Sequence, residues 1–243
     1  QDYPAWEGVG LRATVSIPQG EAVAKRTFNP RLGIEGGISV LGTSGIVEPM
    51  SEKALTDSIK LELSILRKAG HTGVLITPGN YGQAFLNSGT LEGLSALSER
   101  AVKCSNYVGD TLDMCVQQGF ERVLLVGHIG KFCKLAAGIM NTHSRTADCR
   151  TELFCTHAAL CGASQATCRA LMDAATTDAC LDILDAENLR EPVLESLLQA
   201  IQLHLDRRAA GAFKVGAVLF SNRNGPLGQT KTADTLLKLW KEA

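Results

Sequence analysis

The run Gly127-His128-Ile129-Gly130-Lys131 holds two groups able to do chemistry at neutral pH. An imidazole titrates near pH 7, so His128 can carry or donate a proton beside a reacting group. Arg122–Val126 reads as a buried strand that ends at Gly127, which presents His128 at the strand tip. Lys131 then falls at the start of the next helix, where the helix dipole repels a cation, and an anionic partner explains its place there. The plainer alternative is a histidine hydrogen-bonded to a neighbouring carbonyl and a lysine in water.

Three other polar segments follow predicted strand ends or turns. Gly42-Thr43-Ser44-Gly45 precedes a helix that Ser51 can cap, and its glycines let backbone N–H groups approach a ligand. Thr43, Ser44 and Gly45 are therefore candidate cofactor-binding residues, and so are Gly79, Asn80, Tyr81 and Gly82 in the break after Pro78. Asp110 is a candidate for a ribose hydroxyl, with a helix cap or a turn as its simpler role. Asn141-Thr142-His143-Ser144 with Arg145, Asp148, Arg150 and Glu152 is a polar cluster too rich for a cap alone. A guanidinium there can grip a carboxylate, so Arg145 and Arg150 are candidate substrate contacts. His143, Cys149, Cys155, His157 and Cys161 lack the paired-cysteine spacing of structural zinc, and no protein metal site is expected.

The elements that must position these groups alternate. Gly73–Thr77, Arg122–Val126 and Val215–Phe220 are short apolar runs separated by helical patterns. Such runs predict an α/β fold, a mostly parallel sheet with helices on both faces, whose ligands sit where the strands end. Leu11–Ile17 and Ile38–Leu41 read as further strands. Helices are expected over Ser51–Ala69, with Leu55, Ile59, Leu63 and Leu66 facing inward, and over Glu92–Lys103 and Val108–Gln118. Residues 131–207 read as a helical insert carrying the stripe Val193, Leu197, Ile201 and Leu205. Ser221–Gly228 reads as a polar loop, and a short helix with Ala233, Leu236, Leu237 and Trp240 on one side closes the chain. The expected domains are residues 1–30, the end of a preceding α+β domain, and residues 31–243, the α/β domain.

Composition narrows the partners. The chain has 243 residues, 24 Lys+Arg against 25 Asp+Glu, and a net charge of −1, so it has no basic field for a nucleic-acid backbone. No apolar run approaches the roughly 18 residues of a membrane span. Gln1-Asp2-Tyr3-Pro4 does not open a signal peptide, and a start at Gln1 implies residues lost upstream. Six of the eight cysteines lie among Ala, Leu and Ile in helical patterns, which favours packed thiols in a reducing cytoplasm over a disulfide framework.

Taken in order, these segments resemble the cobalt-precorrin-5B C1-methyltransferase family of anaerobic cobalamin biosynthesis. The resemblance rests on Thr27–Ile34, including Asn29-Pro30-Arg31, and on Gly36–Ser51. It continues through Thr77–Gly82, Asn106–Asp110, Gly127–Lys131 and Leu135–Gly138, then into Asn141–Ser144, Ala147-Asp148 and Arg150. Members usually carry an earlier Gly-Tyr-Thr-Thr-Gly segment, which this chain lacks. The resemblance implies methyl transfer from S-adenosylmethionine to C1 of a cobalt-containing tetrapyrrole. Its many carboxylates would meet Arg31, Lys131, Arg145 and Arg150, with Gly127, Gly130, Asn141 and His143 beside them. His128 would then stand near the reacting ring, and Thr43–Gly45 with Gly79–Gly82 would hold the methyl donor. Two rivals stand beside this reading. One is a nucleotide- or tetrapyrrole-binding fragment without turnover; the other is a phosphate-handling enzyme using Gly127–Lys131, which lacks the G-x-x-x-x-G-K-[ST] run.

Overall fold

The three apolar runs form the centre of one sheet: β1 (Gly73–Thr77), β3 (Arg122–His128) and β4 (Lys214–Ser221). The computed structural model describes residues 12, 14–27, 29–30, 33–39, 51–91 and 94–241. With β2 (Val102–Lys103) and β5 (Gly225–Gln229), the strand order is β2-β1-β3-β4-β5. The first four strands are parallel, in register from Arg122↔Lys214 to His128↔Phe220 across β3 and β4; β5 returns antiparallel. The α/β expectation is met.

Alternation along the strands supplies two apolar faces. Leu75, Leu124, Val126, Val218 and Phe220 pack with Leu86 of α3 (Asn80–Asn87) and Leu236 of α10 (Lys231–Lys241). Val74, Ile76, Val123, Leu125, Val215 and Leu219 pack on the other face. Their partners are Ile59 and Leu63 of α2 (Glu52–Lys68), Leu112 of α4 (Val108–Gln117), and Leu197 and Ile201 of α9 (Arg190–Ala209). Each such side chain contributes about 1.5–3 kcal/mol relative to exposure, so two covered faces are what hold a parallel sheet together. Between β3 and β4 the chain is helical: α5 (Ile129–Phe132), a 3₁₀ turn Cys133–Ala137, α6 (Arg150–Leu160), α7 (Gln165–Met172), α8 (Thr177–Ala186) and then α9. Ser51, Ser164 and Thr176 cap α2, α7 and α8 through their hydroxyl oxygens.

Several sequence expectations change. Glu92–Lys103 is not one helix: a 3₁₀ turn at Ser95–Arg100 leads into β2, whose Val102 pairs with Ile76 at the sheet edge. Ser221–Gly228 is not all loop, because Gly225–Gln229 pairs with β4. Pro226 is tolerated because an edge strand leaves one row of N–H groups unused. Leu55 is exposed, since only the Ile59–Leu63 part of α2 is buried.

The chain divides into two compact units, Gln1–Pro49 and Met50–Ala243. In the first, α1 (Gly20–Ala24) is followed by Thr27, whose hydroxyl donates to the Ala24 carbonyl at 2.8 Å. Residues 12 and 14–17 form no strand there, and Val15 is 73% exposed. Alternation alone makes a strand only where a partner supplies the ladder. Of the expected strand at 38–41, residues 40 and 41 lie outside the described residues, as do Arg31, Thr43, Ser44, Gly45 and residues 92–93. Among the described residues no helix is long and apolar enough to cross a membrane.

Candidate functional site

β1 connects to β2 on one side, and the chain then crosses back so that β3 lies on the other side of β1. At such a reversal the turns after the two strands diverge and leave a crevice at their C-terminal ends. The crevice is present, with a volume of about 370 Å³. Pro78, Gly79, Tyr81 and Gly82 line it from the β1 turn and α3, His128 and Lys131 from the end of β3, and Asn222 from the turn after β4. No carboxylate is among these residues.

Two glycines set its shape. A Cβ on Gly82 would lie 2.7 Å from Thr77 Cβ and 2.9 Å from the Val126 carbonyl oxygen, so α3 can settle on the sheet only because that position is bare. Phe85 of the same helix stacks on Phe220, with ring centroids 4.2 Å apart. Gly127 meets the buried Phe132 ring, whose atoms would stand 2.4–2.6 Å from a Cβ. Its role is packing, which places His128 at the rim. The first turn of α3 has no side-chain cap and no acidic residue, so its amide groups leave a positive end beside the crevice.

His128 is held from two directions. Its Nδ1 accepts the Gly130 N–H at 3.1 Å, capping α5, and its ring stands edge-on to Phe220 with centroids 5.6 Å apart. A ring nitrogen that accepts an N–H carries no proton, so in the neutral ring the proton sits on Nε2. Burial lowers the pKa below the usual imidazole value against a smaller opposing pull from Asp178. The structure therefore gives a neutral hydrogen-bond donor at Nε2 rather than a base. Tyr81, 68% exposed, lies 6.4 Å away by ring centroids.

Lys131 sits differently from the sequence expectation. α5 is a single turn with Lys131 in it, so the repulsion argued from a long helix does not apply. The ammonium donates to Asn106 Oδ1 at 2.8 Å, and burial lowers its pKa. Asn106 also accepts from the Thr142 hydroxyl at 3.4 Å and takes the Thr142 N–H on its carbonyl at 2.9 Å. This ties the turn after β2 to the 141–149 loop.

The other candidates fall around the crevice rather than in it. Asn80 accepts from Lys103 Nζ at 2.8 Å. Asp110 is exposed in the first turn of α4, one turn before the ion pair of Asp113 with Arg208. Asn141 bridges to Tyr107, and its Oδ1 accepts the His143 N–H; His143 Nδ1 accepts the Arg145 N–H. Arg145 is exposed. The Arg150 fork is already engaged, with both oxygens of Asp148 at 2.5 and 2.9 Å, which pulls the Asp148 pKa down.

Sequence reasoning missed Lys134, which is 3% exposed and donates to the carbonyls of Thr142 and Ala147 at 3.2 and 2.8 Å. A lysine inside the apolar run Phe132–Ala137 was the available signal. Asn222 and Asp178 were missed too. The turn after β4 follows a strand end just as the Gly79 and His128 turns do, and that rule would have found Asn222.

A CbiD family model matches residues 3–49, and a model of the CbiD C-terminal domain matches residues 141–231. A cobalt-precorrin-5B C(1)-methyltransferase of Ruminiclostridium cellulolyticum is 48% identical over 218 residues, 90% of this chain and 56% of its own length. One from Thermoanaerobacter sp. is 50% identical over 74% of this chain and 48% of the relative, and one from Alkaliphilus metalliredigens 39% identical over 96% and 61%. The chain thus spans about half to three-fifths of these relatives. No solved structure matches the chain at a significant level. Matched at both ends by models of one family and along most of its length by that family's members, the chain belongs to the CbiD family.

Proposed function

We propose that this chain contributes to the methylation of C1 of cobalt-precorrin-5B, the activity its relatives are named for, with S-adenosylmethionine as the methyl donor. The observation that carries the reading is the crevice at the strand reversal, walled by the uncapped α3 end, Tyr81, His128 and Lys131.

Its size and lining suit the donor. About 370 Å³ lies at the small end of the ~300–1,000 Å³ range of ligand pockets, enough for a nucleoside and too little for a whole tetrapyrrole. The α3 amide groups suit the carboxylate of the donor's amino-acid arm, and the exposed Tyr81 ring offers a face to a planar base. When bound, the donor supplies an electrophilic methyl on sulfur for displacement by a ring carbon. The chain's own task is then alignment and exclusion of water, since displacement along one line needs no proton at the sulfur. His128 holds a proton at Nε2 and offers it as a hydrogen bond to a tetrapyrrole oxygen, fixing the ring's approach. Lys131 offers its charge to a tetrapyrrole carboxylate at the mouth, and Arg145 offers another from the adjoining loop. Cobalt belongs to the substrate.

Calorimetric titration with S-adenosylhomocysteine and with 5′-methylthioadenosine, which lacks the amino-acid arm, tests this. Both nucleosides should bind, the former more tightly. Lys131→Met should leave both affinities unchanged and raise KM for the tetrapyrrole on the order of tenfold, the worth of one hydrogen bond to a charged group. Loss of affinity for S-adenosylhomocysteine alone would move Lys131 to the donor's carboxylate. Absence of binding to either nucleoside would remove the crevice as the donor site.

A further inference from the structure

The chemistry above uses groups from the turns after β1 and β3, and leaves unexplained what holds the third wall. Ser221 ends β4 one residue beyond the His128↔Phe220 pair and is 1% exposed. Its hydroxyl oxygen accepts the N–H groups of Arg223 and Asn224 at 3.0 and 3.2 Å, curling the chain so that Asn222 faces the crevice. The same hydroxyl donates to Asp178 Oδ1 at 2.5 Å, and Asn224 Nδ2 donates to that oxygen at 2.9 Å. A carboxylate that receives two donors from a four-residue turn fixes it more firmly than backbone bonds alone, because charge-assisted bonds are about twice as strong.

Asp178 also belongs to the His128 side. It lies in the first turn of α8, whose Thr177 hydroxyl stands 3.6 Å from where a Gly130 Cβ would be, so the start of α8 abuts the His128–Gly130 turn. One turn further along α8, Asp182 takes both Arg223 nitrogens at 2.7 and 2.9 Å. One helix thus grips the β4 turn at two successive levels while its first turn touches the β3 turn.

We propose that Asp178 is a positioning residue of the site: it locks the 221–224 turn so that Asn222 closes the crevice opposite Tyr81, and it joins that wall to the turn bearing His128. The site reading above supplies the meaning of the crevice, but the lock itself is independent of it. Besides Asp178 of α8, the ionisable groups beside the imidazole are Tyr81 from α3 and Lys131 from α5, while Arg223 of the β4 turn is paired with Asp182.

The test compares wild type, Asp178→Asn and Asp178→Ala in the full chain by amide hydrogen exchange and by NMR titration of the histidines. Asp178→Ala should lower protection of the Arg223 and Asn224 amides on the order of ten- to a hundredfold, the factor for one hydrogen bond to a charged group. Asp178→Asn keeps an acceptor oxygen and should lose less. Both should move the His128 midpoint to lower pH, because an anion nearby stabilises the imidazolium, while His157, held by Ser196 Oγ at 2.8 Å, stays put as an internal control. Unchanged protection in Asp178→Ala, or an unmoved His128 midpoint in both variants, overturns the proposal. Failure of nucleosides to bind the wild type would instead overturn the reading of the crevice and leave the Asp178 result standing.

Discussion

His128 does two things that substitution can separate. As a cap, Nδ1 accepts the Gly130 N–H; as a ring, it stands edge-on to Phe220. Loss of a side-chain cap costs about 0.5–2 kcal/mol. An edge-to-face aromatic contact is worth about 0.5–1.5 kcal/mol. His128→Ala forfeits both, so unfolding should become easier by about 1–3.5 kcal/mol. At roughly 2–4 °C per kcal/mol for a domain of this size, the thermal midpoint should fall by roughly 2–14 °C. His128→Asn restores a capping oxygen without the ring, and His128→Phe restores the ring without the cap. Each should recover part of the loss, and the two parts should sum to the alanine deficit within the error of nearby sites. Thermal unfolding at pH 8, where the imidazole is neutral, measures this. Neither variant offers the Nε2 proton, so both should lose turnover together despite different stabilities. A His128→Asn protein as unstable as His128→Ala would refute the cap, and one with full turnover would refute the donor role.

Other perturbations test the rest of the frame. Gly127→Ala pushes a methyl into the Phe132 ring and should destabilise by about 1–3 kcal/mol, as overpacking does; a wild-type denaturation midpoint would mean that Phe132 has room to move. His128 and His157 both have pKa values lowered by burial, so the folded state binds fewer protons than the unfolded. Their contribution is complete above the unfolded value of 6.5 and is lost as pH falls below it through the folded values. Stability should therefore drop from pH 7.5 to 5, and a rise would reverse the sign of the argument. Asp148 adds a second loss only as pH falls below 3.8, because Arg150 depresses its pKa. Asn106→Asp places a carboxylate on Lys131 and should raise KM for the tetrapyrrole on the order of tenfold; an unchanged KM would show that the ammonium does not face the substrate.

What the sequence disclosed divides along the range of the forces involved. α2, α4, β1, β3, β4 and the Val193–Leu205 stripe were readable because burial imposes a period on neighbouring residues. β5 was not, since Gly225, Pro226 and Gly228 carry turn chemistry and become a strand only by pairing with β4. Residues 94–103 carry helix-like spacing that the sheet overrides when Val102 finds Ile76. Of the candidate site, the turns at Gly79–Gly82 and Gly127–Lys131 could be seen because glycine breaks each apolar strand pattern at its C-terminal end. Partners across long separations could not: Asp178 with Ser221, Lys131 with Asn106 and Lys134 with the 142–147 carbonyls exist only once the strand order brings turns together.

That pairing explains why one cation in the crevice matters more than the others around it. Arg150, Arg208 and Arg223 each meet a carboxylate at 2.5–2.7 Å, so their charges are largely cancelled before any ligand arrives. Lys134 is ringed by carbonyls and carries Asp148 at 3.8 Å. Lys131 is held by the neutral amide oxygen of Asn106, which orients the ammonium without cancelling its charge. Half-buried beside a wall free of carboxylates, that charge acts through less water than a surface lysine's, and its attraction for an anion is correspondingly larger. Asn106 lies on the turn after β2, and the uncapped amides of α3 on the turn after β1. Both supports of the positive potential come from the sheet's own connections at the C-terminal ends of its strands.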